Sequence, residues 1–124
     1  MATRALRNFI NGESGPAADG RTTDLVNPST GEVFGTAPLS GQVDVDRAYS
    51  AAAAAFPGWR DSTPSERQQA LLKIADALEA HAEELVALES ENTGKPIPVT
   101  AAEEIPPMLD QIRFFAGAAR VLEG

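Results

Sequence analysis

Three acidic residues near the end of the chain, Glu103, Glu104 and Asp110, have the type and spacing that best suit a binding role. Glu103 and Asp110 are seven positions apart, so a continuous helix would place both on one side. Two carboxylates can hold an ammonium group through charge-assisted hydrogen bonds. Pro106 and Pro107 interrupt that geometry, however, and acids in a first turn also stabilise a helix dipole. The sequence leaves both interpretations open.

The segment Thr93-Gly94-Lys95-Pro96 has an outward similarity to a phosphate-binding loop. A P-loop needs a Gly five residues before the Gly that precedes its Lys, and Ser or Thr after the Lys. Glu89 and Pro96 occupy these two positions here. We therefore predict that the segment ends a helix, with Gly94 at the C-terminal cap.

Two further groups of residues suggest sites only at first sight. His81 is the one histidine, and with Glu84 one turn later it does not complete a zinc site, so no metal site is predicted. Four aromatic residues are candidates for a box around a quaternary ammonium group: Phe56, Trp59, Phe114 and Phe115. Helical periodicity favours Phe56 and Phe115 as core residues instead, and Trp59 is expected to cover a helix end.

Composition excludes several classes of function. The 124 residues include no Cys, which removes disulfides, thiolate metal sites and cysteine nucleophiles. The net charge of −8 and the lack of a basic cluster argue against nucleic acid and membrane partners. No apolar run reaches the roughly 18 residues of a membrane span. Residues 1–10 have no hydrophobic signal core, so we expect a cytoplasmic protein.

Strand and turn signals fill the chain up to residue 41. Arg7–Ile10 is predicted as a strand that enters a turn at Asn11-Gly12, a pair that tolerates positive φ. Thr23–Val26 is the second predicted strand. Asn27–Gly31 forms a tight turn, and Glu32–Ala37 returns as the third strand.

Helical signals follow. The first helix is predicted from about Val43 to Phe56, with a stop at Pro57-Gly58. Its apolar stripe consists of Val45, Tyr49, Ala52 and Phe56. The second is predicted to begin at Thr63 as cap, with Pro64 in the first turn and Glu66 completing a capping box. An apolar stripe carries it to about Asn92, with a break near His81.

The last helix is expected to start at Pro106 and Pro107, after a short turn at Val99–Glu103, because proline cannot donate a hydrogen bond to an earlier turn. Its apolar face comprises Ile105, Met108, Ile112, Phe115, Ala119 and Leu122. The predicted fold class is α+β, with two or three short strands and then three helices. We divide the chain into residues 1–41, strands and turns, and residues 42–124, a helical segment.

Four stretches together resemble the start of the aldehyde dehydrogenase superfamily. They are Phe9-Ile10-Asn11-Gly12-Glu13, Asn27 to Val33, Ala53 to Trp59 with Arg67 and the leucine-rich helix after it, and Leu88 to Pro96. Each stretch is a weak pattern alone, whereas their order across nearly the whole chain is specific. The segment from Glu104 to Arg120, with Arg113-Phe114-Phe115-Ala116-Gly117, is similar to aminobutyraldehyde dehydrogenases and their relatives, the betaine aldehyde dehydrogenases.

The resemblance implies the N-terminal part of a larger α/β enzyme that oxidises an aldehyde, in this subfamily an ω-aminoaldehyde such as 4-aminobutyraldehyde, with NAD or NADP. Such enzymes use a Cys nucleophile, a Glu that activates water and an Asn that helps hold the oxyanion. Those motifs and the dinucleotide-binding strands lie beyond residue 124. No catalytic or cofactor-binding residue is therefore carried over, and the chain alone is predicted to be inactive and to bind no cofactor.

The resemblance also assigns roles to a few residues. Glu103, Glu104 and Asp110 correspond to acids near the substrate entrance of aminoaldehyde enzymes. Val26 and Asn92 match positions that help hold a structural monovalent cation, through a backbone carbonyl and usually a carboxylate. Because Asn92 brings no charge, a weakened site or a plain hydrogen-bonded turn amide is expected.

The partners implied are the rest of the dehydrogenase polypeptide, on whose nucleotide-binding domain residues 42–124 would pack, and further copies in a homo-oligomer. The alternative is a non-catalytic interaction module, or half of a split enzyme, whose apolar stripes bind another chain. In-frame coding sequence after codon 124 would favour the first interpretation, and a stop codon with a monodisperse folded product would favour the second.

Overall fold

The computed structural model describes residues 4–121, so the predicted stripe residue Leu122 lies outside the described part. Five strands, Arg4–Ala5 (β1), Asn8–Ile10 (β2), Glu13–Gly15 (β3), Thr22–Val26 (β4) and Val33–Pro38 (β5), come first in these residues. The helices α1 (Gln42–Arg60), α2 (Pro64–Ala80), α3 (Ala82–Thr93), α4 (Ile97–Val99) and α5 (Ile105–Ala118) follow, with a π-helical turn at Thr100–Glu104. The α+β class is confirmed.

The strand-to-helix change falls at residue 41, but the chain divides into compact units between Asp61 and Ser62. Helix α1 therefore groups with the strands in the first unit, and α2 to α5 form the second. A division by element type at residue 41 cannot detect this grouping, because it depends on which elements contact one another. Each unit is described by itself below.

The strands of the first unit form two small sheets. β2 and β3 make an antiparallel hairpin, and its turn residues Asn11 and Gly12 have φ of 55° and 80°, which confirms the predicted turn. β5 lies between β1, to which it is parallel, and β4, to which it is antiparallel. The expectation of two or three strands was wrong, since β1 and β3 were missed. These strands are two and three residues long, too short to show the apolar–polar alternation by which a strand is predicted.

Two local features fix the sheet formed by β1, β5 and β4. The turn before β5 is closed by the Gly31 amide, which donates to the Asn27 carbonyl at 2.8 Å, while Gly31 has φ of 75°. At Gly35 a Cβ atom would lie 2.6 Å from the Arg4 carbonyl oxygen, so only glycine lets β1 approach β5 this closely.

Helix α1 begins at a buried carboxylate. Asp44, 3% exposed, accepts from the Ala18 amide at 2.9 Å through Oδ1 and from the Gly41 amide at 3.1 Å through Oδ2. One side chain thus caps the helix and fastens the preceding loop to it. A buried carboxylate is tolerated here because backbone N–H groups satisfy both of its oxygens.

The predicted stop of this helix at Pro57-Gly58 was wrong, since α1 continues to Arg60. Pro57 removes one N–H donor, but its own carbonyl still accepts from the Asp61 amide at 3.0 Å. Arg60 also stabilises the end, since its Nε donates to Asp61 Oδ1 at 2.6 Å. The expectation that Phe56 lies in a core was wrong as well, since it is 58% exposed, with the Arg60 guanidinium 5.9 Å from its ring centre.

The second unit starts at the predicted capping box. The Thr63 hydroxyl accepts from the Glu66 amide at 3.2 Å, and Glu66 Oε2 accepts from the Thr63 amide at 2.7 Å. Bonding to the Thr63 amide lowers the pKa of Glu66, so its charged form is favoured at neutral pH. The predicted break is confirmed at His81, whose φ of −108° and ψ of 16° separate α2 from α3.

Helices α2 and α5 pack on each other in antiparallel fashion. The buried residues of this contact are small or unbranched at Cβ: Ala75 and Ala116, both 0% exposed, and Leu109, 5% exposed. Arg113 Nη2 donates to Asp76 at 3.1 Å and to Glu79 at 2.5 Å, and Arg120 donates to Gln68 at 3.3 Å. Phe115, predicted on the core face, is 58% exposed, whereas Leu109 and Ala116 are the buried residues of α5.

A wide turn precedes α5 where a plain short turn was expected. The Ile105 amide bonds to the Thr100 carbonyl, one residue farther back than in an α-helix. Pro106 and Pro107 cannot donate, and their rings collide with carbonyls of a regular preceding turn. The extra residue in the π-turn gives them room, and α5 begins at Ile105, one residue before the prolines.

No helix within residues 4–121 combines the length and the apolar character needed to cross a membrane.

We expect Thr63→Ala to destabilise α2 by about 1 kcal/mol, because the Glu66 amide loses its acceptor. Urea unfolding followed by helical circular dichroism measures this. Thr63→Ser is the matched control, since it keeps the hydroxyl and should unfold like the parent chain. Equal stability of the Ala and Ser variants would contradict the capping role.

Leu109→Ala should cost about 2–4 kcal/mol of unfolding free energy, since Leu109 is 5% exposed between α2 and α5. The control is Leu6→Ala, at a residue 48% exposed, which should change stability by less than about 0.5 kcal/mol. A similar small loss at both positions, measured by the same urea titration, would show that the two helices do not form the core of the second unit.

Candidate functional site

The acidic residues at the start of α5 remain the candidate site. Glu103 and Glu104 lie in the π-turn, Asp110 lies in α5, and all three are exposed. Placing Glu103 and Asp110 on one side assumed α-helical pitch throughout, and the π-turn alters that pitch in the residues before Ile105. The substrate-entrance role stays a prediction for each of the three.

Lys95 gives the three acids different surroundings. Its Nζ lies 2.6 Å from Glu104 Oε1 and 3.5 Å from Glu89 Oε1. Glu103 and Asp110 form no ion pair with any residue between 4 and 121. Donation to Glu104 raises the pKa of Lys95, and Glu89 adds to the same effect. The two unpaired carboxylates are thus the ones available to an external cation.

The residues before Lys95 confirm the predicted helix end. Gly94 has φ of 76° and its amide donates to the Ser90 carbonyl at 2.9 Å, which is the geometry of a left-handed C-cap. The contact of Lys95 with Glu104 was not anticipated. The two residues are nine apart with α4 and most of the π-turn between them, so no helical spacing rule relates them.

An apolar groove of about 280 Å³ lies beside this region in the second unit. Its lining residues come from α3, α4, the π-turn and α5: Ala82, Glu83, Val86, Ala87, Ile97, Ala101 and Ile105. Only Glu83 among them carries an ionisable side chain. The groove can hold apolar atoms, and its lining offers this one carboxylate without a second ionisable side chain beside it.

The two cation candidates fall in separate units. Val26 ends β4 next to a register shift and is 48% exposed, and Asn92 is exposed in the last turn of α3. For each of the two residues, a role in holding a cation stays a prediction.

The remaining polar and aromatic candidates form no further site in the described chain. His81 Nδ1 lies 3.3 Å from Glu84, and both side chains are 68% exposed. No group of three His, Asp or Glu residues between 4 and 121 is placed to hold a metal ion. In the second unit, Phe114 and Phe115 contact each other edge to face, with 5.2 Å between their ring centres. Phe56 and Trp59 belong to the first unit.

Exposed apolar side chains are the most extensive feature of the surface. The aromatic residues Phe9, Tyr49, Phe56, Trp59, Phe114 and Phe115 are between 51% and 76% exposed. Monomeric soluble proteins seldom leave so many large apolar side chains open unless the surface contacts something. The described residues thus provide faces for association and carboxylates for a cation, but no Cys and no Gly-rich strand–helix loop for a dinucleotide.

Known proteins match this chain along nearly all of its length. 2-Aminomuconic semialdehyde dehydrogenase of Bos taurus is 42% identical over 113 residues, which are 91% of this chain and 23% of that protein. The NADP/NAD-dependent aldehyde dehydrogenase PuuC of Escherichia coli (strain K12) is 43% identical over 114 residues, 90% of this chain and 23% of that protein. The chain thus spans about a quarter of the length of these curated relatives.

The fold agrees with the sequence matches. The NAD+ complex of aldehyde dehydrogenase from Bacillus cereus superposes with a TM-score of 0.87 at 35% identity, covering 92% of this chain and 24% of that one. Residues 16–124 match the sequence model of the aldehyde dehydrogenase family. The homologues are NAD(P)-dependent oxidoreductases, and this chain belongs to the aldehyde dehydrogenase family.

Proposed function

We propose that this chain is the N-terminal segment of a cytoplasmic, oligomeric NAD(P)-dependent aldehyde dehydrogenase whose substrate is an ω-aminoaldehyde such as 4-aminobutyraldehyde. The substrate class rests on the carboxylates of Glu103 and Asp110 in a chain of this family. They lie near the start of α5 and form no ion pair with any residue between 4 and 121. Exposed carboxylates attract the ammonium end of such a substrate and leave its aldehyde end free.

The chemical steps are assigned to residues outside this segment. A thiohemiacetal needs a sulfur nucleophile, and the chain has no Cys. NAD or NADP supplies the hydride acceptor when it is bound. The residues present do not fit that group, because the sequence contains no Gly-x-Gly-x-x-Gly loop of the kind that holds a dinucleotide between a strand and a helix. We therefore derive no step of the reaction from this chain.

What the chain contributes in this proposal is scaffolding and charge. Its open apolar side chains, Tyr49 and Phe9 at 76% exposure among them, provide surface that the rest of the enzyme would cover. The net charge of −8 favours a cationic substrate over an anionic one at the same surface.

A non-catalytic interaction module, or half of a split enzyme, is the second candidate. The same exposed aromatic side chains favour it, because a separately expressed partner could cover them as well. The coding sequence after codon 124 distinguishes the two candidates. Continuation in frame into a Cys-containing region supports the first, and a stop codon with a monodisperse product supports the second.

We predict that the purified chain alone does not oxidise an aldehyde, because it contains no Cys. Incubation with NAD and 4-aminobutyraldehyde should leave the absorbance of NADH at the level of a blank without protein. A full-length aldehyde dehydrogenase in the same assay is the positive control. Turnover by the chain above the blank would remove the scaffold proposal.

We predict that the acids at the start of α5 set the preference for a charged aldehyde. In a full-length aldehyde dehydrogenase whose N-terminal segment is this sequence, Glu103→Gln and Asp110→Asn should each raise the KM for 4-aminobutyraldehyde about two- to fivefold, the range of an exposed charge contact. The KM for butanal should not change. Glu32→Gln, on an exposed turn of the first unit, is the matched control. Unchanged discrimination between the two aldehydes in all variants, Glu104→Ala included, would refute the role.

A further inference from the structure

Lys95 places an ammonium group on one of the acids assigned to the substrate entrance. Its Nζ donates to Glu104 Oε1 at 2.6 Å and lies 3.5 Å from Glu89 Oε1. An ammonium on a four-carbon stem has the same chemistry as the charged end of an ω-aminoaldehyde. Lys95 would thus compete with the ammonium group of a substrate for contact with Glu104.

The backbone on both sides of this contact is well fixed. The left-handed Gly94 ends α3, and the Lys95 amide donates to the Thr93 hydroxyl at 3.3 Å. That hydroxyl in turn donates to the Glu89 carbonyl at 2.8 Å. Glu104 lies in the π-turn, which ends where the Ile105 amide donates a hydrogen bond to the Thr100 carbonyl.

The pairing is also partly shielded from water. The side chains of Lys95, Glu89 and Glu104 are 34%, 39% and 44% exposed, respectively. Partial exposure keeps the interaction modest and sensitive to salt, so a competing ammonium at high concentration is not excluded from Glu104. Glu103 and Asp110 have no such internal cation among residues 4–121.

We propose that Lys95 is a positioning residue for substrate recognition. By neutralising Glu104, it directs the substrate ammonium to Glu103 and Asp110. It also keeps the affinity for cationic aldehydes below the affinity that the enzyme would have if all three acids were unpaired. The inference rests on the proposed function. In this role Lys95, which belongs to the Gly-Lys pair that forms no phosphate loop, lowers the net negative charge at the substrate entrance.

The experiment uses a full-length aldehyde dehydrogenase whose N-terminal segment is this sequence. Lys95→Met removes the charge and keeps much of the apolar stem, and Lys95→Arg is the matched control that keeps the charge. Steady-state kinetics with 4-aminobutyraldehyde and butanal separate KM from kcat for each variant. Glu103→Gln, Asp110→Asn and the double variant Lys95→Met with Glu104→Gln complete the set.

Lys95→Met should lower the KM for 4-aminobutyraldehyde about two- to fivefold and leave kcat and the KM for butanal unchanged. The gain should shrink in high salt, and it should be absent from Lys95→Arg and from the double variant. A merely structural role would affect both aldehydes alike.

Two outcomes would overturn the inference in different ways. If Lys95→Met leaves the ratio of the two KM values unchanged, or weakens both substrates equally, while Asp110→Asn still raises the ratio, Lys95 has no positioning role and the proposed function stands. If neither Glu103→Gln nor Asp110→Asn changes the ratio, the proposed function fails, and the inference fails with it.

Discussion

The close approach of α5 to α2 is the interaction on which the second unit depends. Ala75 and Ala116 are fully buried where the two helices meet, and their small side chains let the backbones come near each other. Arg113 then spans the contact to Asp76 and Glu79. These surface ion pairs add little energy of their own, but they define the antiparallel register. With α5 held in this way, the π-turn before it presents Glu103 and Glu104 at one end of the helix pair.

Patterns that act over a few residues were sufficient to predict much of this fold. Thr63 with Glu66, the turn at Asn11-Gly12 and the cap at Gly94 each carry a local physical signal, and all three are present. The errors arose where tertiary contacts or backbone compensation decide the outcome. The pairing of β1 with β5 depends on a close approach at Gly35, which two residues of strand sequence cannot indicate. Pro57 was expected to end α1, but only one hydrogen bond is lost there, and the helix continues.

In the candidate site, too, local residue types could be interpreted from the sequence, whereas contacts between distant residues could not. The carboxylates near the start of α5 suggest ammonium binding from the sequence alone, but the same residue types also stabilise a helix dipole, so the sequence does not choose between the two roles. The difference in ion pairing among the three acids could not be predicted, since Lys95 contacts Glu104 across α4 and most of the π-turn. Apolar periodicity likewise identified Phe56 and Phe115 without revealing that both stay exposed, because burial depends on a neighbouring surface.

The exposed aromatic side chains have a consequence for synthesis on the ribosome. In the proposed full-length enzyme, this segment would be made before the surfaces that cover it, since the chain spans only 23% of the length of a curated relative. At roughly 5–20 residues per second, the faces around Tyr49 and Phe114 wait many seconds for any later surface. Nascent chains with such open faces attract chaperones and one another. The net charge of −8 opposes such association, because like-charged chains repel one another.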